Sequence, residues 1–189
     1  TVLQGVTSNY DIDLFSNLLS AVSKLFPGRD GAVGSSKVIA DHIRSASFLI
    51  ADGIFPSNEG RGYVLRRIIR RALRHGHKLG SSGLFFHRLV DTLVAEMGDA
   101  YSILVDKSDL ISNTLKEEEE RFLETLDNGM KMLVNHIKKN SEGQIDGDVA
   151  FRLYDTYGFP LDLTADVARE HDLELDLQGF EKAMEKQKS

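Results

Sequence analysis

Apolar positions recur at three- and four-residue intervals along most of this chain, the period of amphipathic helices. Leu14, Phe15, Leu18, Leu19, Val22, Leu25 and Phe26 form the first stripe, with cap groups at Ser8 and Asn9 and an end at Pro27-Gly28. Residues 28–34 hold three glycines and read as a loop. Ser35 or Ser36 caps the next helix, which carries Val38, Ile39, Ile43, Ala46 and Leu49 and stops near Gly53. A dense turn, Pro56-Ser57-Asn58-Glu59-Gly60-Arg61-Gly62, leads into a helix from about Tyr63 to His77. Leu84, Phe85, Leu89, Leu93, Val94 and Met97 mark a fourth, ended by Gly98. Asp109 to about Lys139 is the longest, with Ile111, Leu115, Phe122, Leu126, Met130, Leu133 and Ile137 on one stripe. At 1.5 Å per residue it would run about 45 Å. A break or bend is expected near Asn128-Gly129, both weak helix formers.

After a polar loop over residues 140–147, a short helix starts at Asp148 and ends at Gly158-Phe159-Pro160, because proline disfavours helical geometry at the residue before it. Two short helices follow, near 164–171 and from a cap at Asp176 through Phe180 and Met184. Leu173 to Leu177 alternates, but over too few residues to argue for a strand. The predicted fold is all-α: a multi-helix main part over 1–139, with its long helix near 109–139, and a smaller helical portion over 140–189.

Composition narrows the chemistry. With 189 residues, 41% hydrophobic and 28% charged, the chain can build a core and is not a disordered tail. It lacks an apolar run of about 20 residues, so a membrane span is not expected, and no signal-peptide pattern opens it. Absence of cysteine removes disulfides, thiolate catalysis and Cys-ligated zinc or iron–sulfur clusters. A net charge of -6 argues against a nonspecific polycationic binder and leaves room for a local basic face. The six histidines follow no HExxH or other metal spacing. His75 and His77 end the arginine-rich helix and suit its dipole, and His42 suits the core edge.

One helix concentrates the basic charge. On a wheel of about 100° per residue, Arg66, Arg70, Arg74, Arg67 and Arg71 fall within an arc of roughly 140°. Leu65, Ile68, Ile69, Ala72 and Leu73 take the other side. Arg70 and Arg74, in the middle of the arc, are expected to point most directly outward; Arg61 lies before the regular helix and braces the turn. Three uses compete: binding phosphate, which guanidinium forks match; an internal salt network, for example with Glu117 to Glu120; or docking on an acidic protein surface. Those glutamates otherwise read as a solvated helix face. Asn58 either caps a helix and bonds within its own turn, or presents an amide to a base edge. Ser57 and Glu59 share that ambiguity, and Gly60 and Gly62 suit close backbone approach or unusual dihedrals. Asp155 lies near a helix C-terminus, where a carboxylate opposes the dipole unless it meets a cation or a donor. Asp11 and Asp13 suit caps; a hydrolase using them with His42 would need all three to converge.

Several segments resemble the alanyl-tRNA synthetase family: Ser8-Asn9-Tyr10-Asp11-Ile12-Asp13-Leu14-Phe15, Ala40-Asp41-His42-Ile43-Arg44, Ala51-Asp52-Gly53-Ile54, Pro56 through Arg71, and Leu153-Tyr154-Asp155-Thr156-Tyr157-Gly158-Phe159-Pro160. They cover nearly the whole chain in the family's order. Phe26 to Gly34 and Ser36-Lys37 depart from the family pattern, which bears on loop geometry. The resemblance implies the helical tRNA-recognition region that follows the class II catalytic domain and precedes the editing and C-terminal domains. Thr1-Val2-Leu3-Gln4 and Lys186-Gln187-Lys188-Ser189 both read as interior sequence, as a domain excised from a longer protein would.

In that family the parent enzyme activates alanine with ATP and Mg2+ and transfers it to tRNA(Ala). The region at hand is implied to hold no cofactor, to lack the aminoacylation site, and to bind the acceptor stem and help identify a G·U pair. Partners are then tRNA(Ala) and the parent's catalytic and editing domains, in the cytoplasm or an organelle. By resemblance the base readers fall on Asn58 and Asp155, with Arg66, Arg67, Arg70, Arg71 and Arg74 on the backbone and Arg70 or Arg71 assisting recognition. The competing reading is a helical interaction module whose arginine face docks on an acidic partner.

Overall fold

Helix dominates the computed structural model, which describes residues 5, 13–29, 33–140 and 143–188 (for Leu14, the backbone only). The all-α expectation holds: the described residues contain nine α-helices, one 3-10 turn and a single pair of two-residue strands. The caps expected at Ser8, Asn9 and Asp11 lie outside the described residues.

The chain divides into two compact units, residues 1–120 and 121–189. The sequence reading sets its boundary at 139/140; the division by packing falls inside the long helix. In the first unit, α1 (Asp13–Leu25) packs on α2 (Val33–Ala51) and α4 (Leu89–Met97), and α2 lies along α3 (Gly60–Lys78). The fourth predicted helix is composite: a 3-10 turn, Phe86–Arg88, runs into α4. A short α5 (Ser102–Asp106), with Leu104 buried, goes unpredicted because five residues carry too little periodicity. Ile39, Ile43, Ala46 and Ile50 of α2 and Leu65, Ile69, Ala72 and Leu73 of α3 are almost wholly buried. Phe26 and Phe85 close one end of this core edge to face, ring centroids 5.1 Å apart.

Ser35 and Ser36 are not the cap of α2. Helix is already present at Val33, and the buried Ser35 hydroxyl meets His75 Nδ1 at 2.9 Å. His75 is thus held by a side chain from α2 as well as by its place in the last turn of α3.

The second unit begins within α6 (Ser108–Lys139) and continues through α7 (Gly147–Asp155), α8 (Leu161–Glu170) and α9 (Leu177–Lys188). No break occurs at Asn128-Gly129. A side chain at Gly129 would collide with the Phe159 ring, 2.6 Å away, so the glycine serves close packing inside an unbroken helix. Phe159 also stacks edge to face on Phe122, and Thr125 donates to the Tyr157 carbonyl at 2.8 Å. α7 and α9 share Phe180, which packs against Phe151 and Tyr154. Asp176 caps α9 as expected, its carboxylate accepting from Gly179 N–H at 2.9 Å. The strands were missed: β1 (Gln144–Ile145) pairs in parallel with β2 (Glu174–Leu175), Gln144 opposite Glu174 and Ile145 opposite Leu175. Two residues per strand are too few for a strand to be read, even where Leu173 to Leu177 alternates.

Candidate functional site

The arginine helix forms, from Gly60 to Lys78, but its polar side is largely covered. Arg70 is 8% and Arg74 5% exposed, so the expectation that this pair points outward is corrected. For Arg70 the reason lies on α6. Glu118, 3% exposed, accepts from Arg66 Nε and Arg70 Nε through the same oxygen, each at 2.8 Å. A second Arg66 nitrogen, Nη2, reaches its other oxygen at 3.4 Å. Two cations on one buried carboxylate are the internal network that the sequence left as one of three uses. An acidic partner meeting the same two guanidiniums would have to displace Glu118. Arg67 and Arg71 stay half-buried; the Arg67 guanidinium lies over the Tyr63 ring, 5.9 Å from its centroid.

Glu117 to Glu120 are not a uniform solvated face. Glu117 and Glu120 are exposed, whereas Glu118 and Glu119 are buried. Glu119 caps the start of the 3-10 turn that leads into α4: its carboxylate accepts from the backbone N–H groups of Phe85 and Phe86, with His87 N–H at 3.4 Å. His87 Nδ1 lies 3.7 Å from it. Burial pushes the Glu119 carboxyl above the ordinary glutamate range, and the backbone donors and His87 pull it back only in part.

Asn58 caps nothing. The N-cap position of α3 is Glu59, whose side chain makes no cap hydrogen bond. The exposed Asn58 side chain instead accepts through Oδ1 from Arg66 Nη1 at 2.5 Å, eight residues away. The turn beneath it depends on two glycines. Gly60 has φ 61°, in the left-handed region. At Gly62 an added Cβ would lie 2.1 Å from Ser57 Oγ and 2.4 Å from the Phe55 carbonyl oxygen. Ser57 donates to the Glu59 carbonyl at 2.9 Å. Asn58, Arg66 and Arg70 are therefore brought together around Glu118, one of the four glutamates that the internal-network reading offers.

Asp155 belongs to the second unit. It is exposed, the last residue of α7, and accepts from Gln187 Nε2 of α9 at 2.7 Å. The donor that its position demanded is a neutral amide, not a cation. Among the described residues no group of three or more His, Cys, Asp or Glu could hold a metal ion, and no helix is long and apolar enough to cross a membrane. His42 is half-buried and 3.4 Å from Asp41, its sequence neighbour. The hydrolase reading also needs Asp11, which lies outside the described residues.

All 189 residues match the family described as tRNA synthetases class II (A). Similar proteins include the alanine–tRNA ligases of Methylococcus capsulatus, 59% identical over 187 residues, and Bordetella pertussis, 58% over 188. That of Neisseria meningitidis serogroup C is 59% identical over 193 residues. These alignments take in 99%, 99% and 100% of this chain but 22% of each relative, so the chain spans about a fifth of their length. With the family model matched from first residue to last, the chain belongs to the class II tRNA synthetases of the alanine type, as a region of such a protein.

Proposed function

We propose that this chain is the part of an alanine–tRNA ligase that binds the acceptor stem of tRNA(Ala) and helps recognise a G·U pair in it. The observation that carries the reading is the match along the whole chain to relatives named alanine–tRNA ligase. The parent attaches alanine to tRNA in the cytoplasm or an organelle; ATP and Mg2+ serve its catalytic portion. This chain does not aminoacylate alone.

The chemistry of the readers supports the assignment. A wobble pair leaves the guanine 2-amino group without its usual acceptor, and the RNA minor groove is wide and shallow enough for side chains to reach it. Asp155 is exposed and, when ionised, an acceptor only. Asn58 is exposed and both donates and accepts. Arg67 and Arg71 retain surface and serve the phosphate backbone. Arg66 and Arg70 act from within the Glu118 cluster, and the buried Arg74 supports the helix.

Binding of the chain to two acceptor-stem hairpins, identical except for G·U or G·C, tests the reading. Binding should weaken with salt. Asn58→Ala and Asp155→Ala should each lower the preference for G·U by the equivalent of about 1–3 kcal/mol. Arg71→Ala should weaken both hairpins alike. No salt-sensitive binding to either hairpin rejects an RNA role. Equal losses on both hairpins for all three variants reject the division between readers and backbone contacts.

A further inference from the structure

We infer that Arg66 is a positioning residue for Asn58: anchored on buried Glu118, it fixes the Asn58 amide with its oxygen inward and its N–H donors toward RNA. The inference rests on the proposal that Asn58 reads a base, and deepens it.

The geometry is that of a planar fork used on two edges. Nε and Nη2 of Arg66 face the two oxygens of Glu118, at 2.8 and 3.4 Å, and Nη1 reaches Asn58 Oδ1 at 2.5 Å. Guanidinium is rigid, so orienting one edge on a carboxylate orients the other. Arginine has donors and no acceptor, so the Asn58 atom facing Nη1 must be the oxygen. That argument settles the amide orientation, which otherwise can be assigned either way round. The Arg66 side chain is 12% exposed and that of Glu118 2%, so the anchor is shielded from water, while Asn58 itself is exposed. Arg70 Nε donates to the same Glu118 oxygen at 2.8 Å and adds a second hold on the carboxylate.

Two consequences distinguish this from a salt bridge that only stabilises. Lysine at position 66 keeps a charge for Glu118 but cannot reach two partners along fixed, divergent directions. Aspartate at position 58 keeps an acceptor for Arg66 but has no N–H to offer. The RNA atom that Asn58 meets is then an acceptor in the groove, such as a pyrimidine O2 or purine N3, and Asp155 is left to accept from the guanine 2-amino group.

The test compares the full chain with Asn58→Ala, Asn58→Asp, Arg66→Lys and the Arg66→Lys/Asn58→Ala double variant on the same two hairpins, with folding monitored by circular dichroism. Asn58→Ala, Asn58→Asp and Arg66→Lys should each lower the G·U over G·C ratio roughly tenfold. The double variant should be no worse than Asn58→Ala, because the arginine acts through the amide. If Asn58→Ala loses the ratio and a folded Arg66→Lys keeps it, or their effects multiply, the positioning role is overturned while the base reader stands. An unchanged ratio in Asn58→Ala overturns both. Retention of the ratio by Asn58→Asp overturns the donor-outward orientation. Should Arg66→Lys fail to fold, the wild-type chain decides: nuclear magnetic resonance without RNA should place Arg66 guanidinium protons next to the Asn58 side chain. Absence of that proximity overturns the inference.

Discussion

At the scale of single residues, two glutamates organise the first unit. Both were legible in principle. Glu118 lies three residues after Leu115 and four before Phe122, and Glu119 four after and three before, so both share the apolar stripe of α6. The exposed neighbours Glu117 and Glu120 disguise them as part of an acidic run. A wheel sorts side chains by polarity and says nothing of what packs on the polar side of the arginine helix. Arg70 and Arg74 were therefore read as outward. Glu119 also sets a pH dependence. Its carboxyl is raised by burial, so the folded state holds that proton more tightly than the unfolded chain. The contribution is fully present below the ordinary glutamate value of about 4.3 and is lost as pH rises through the raised value. Urea unfolding of wild type and Glu119→Gln over this range should show the wild type losing ground with rising pH. A difference that stays constant or grows would contradict the raised carboxyl.

At the scale of elements, long stripes were legible and short pieces were not. α2, α3 and α6 follow from periodicity, whereas α5 and the two-residue strands carry too little pattern to be read alone. The break expected at Asn128-Gly129 follows from propensity, but Phe159 occupies the space beside Gly129 and the helix runs on. The turn before α3 works the same way: its glycines are legible as special, while the contact that needs Gly62, with the Phe55 carbonyl oxygen and Ser57, is not. Gly62→Ala cannot be absorbed by a flexible side chain alone, because backbone lies 2.4 Å away. It should cost about 1–3 kcal/mol, as other overpacking substitutions do. A lowered urea midpoint checks this; an unshifted midpoint would mean that the turn gives way freely.

At the scale of the whole molecule, a net charge of -6 coexists with an arginine-rich helix, two of whose guanidiniums meet a buried carboxylate inside the first unit. Net charge therefore says little about which surface would make the proposed RNA contact. The family was legible in the sequence, through motifs in order along nearly the whole chain. The Glu118 cluster is legible only as a candidate network between the arginines and Glu117 to Glu120; which glutamate closes it is not, since the contacts join residues 48 and 52 positions apart.

The Glu119 contact has a kinetic side. The acceptor that satisfies the Phe86 amide lies 33 residues further along the chain, so the 3-10 turn that leads into α4 does not secure its own first donors. During synthesis residues 85–97 are made before residue 119, so this acceptor is absent until α6 follows. Hydrogen–deuterium exchange should carry that dependence into the finished protein: Glu119→Ala should quicken exchange at Phe85 and Phe86 more than at Leu93, deeper in the helix. Equal quickening at all three would mean that the helix opens as one piece, with no debt to its distant carboxylate.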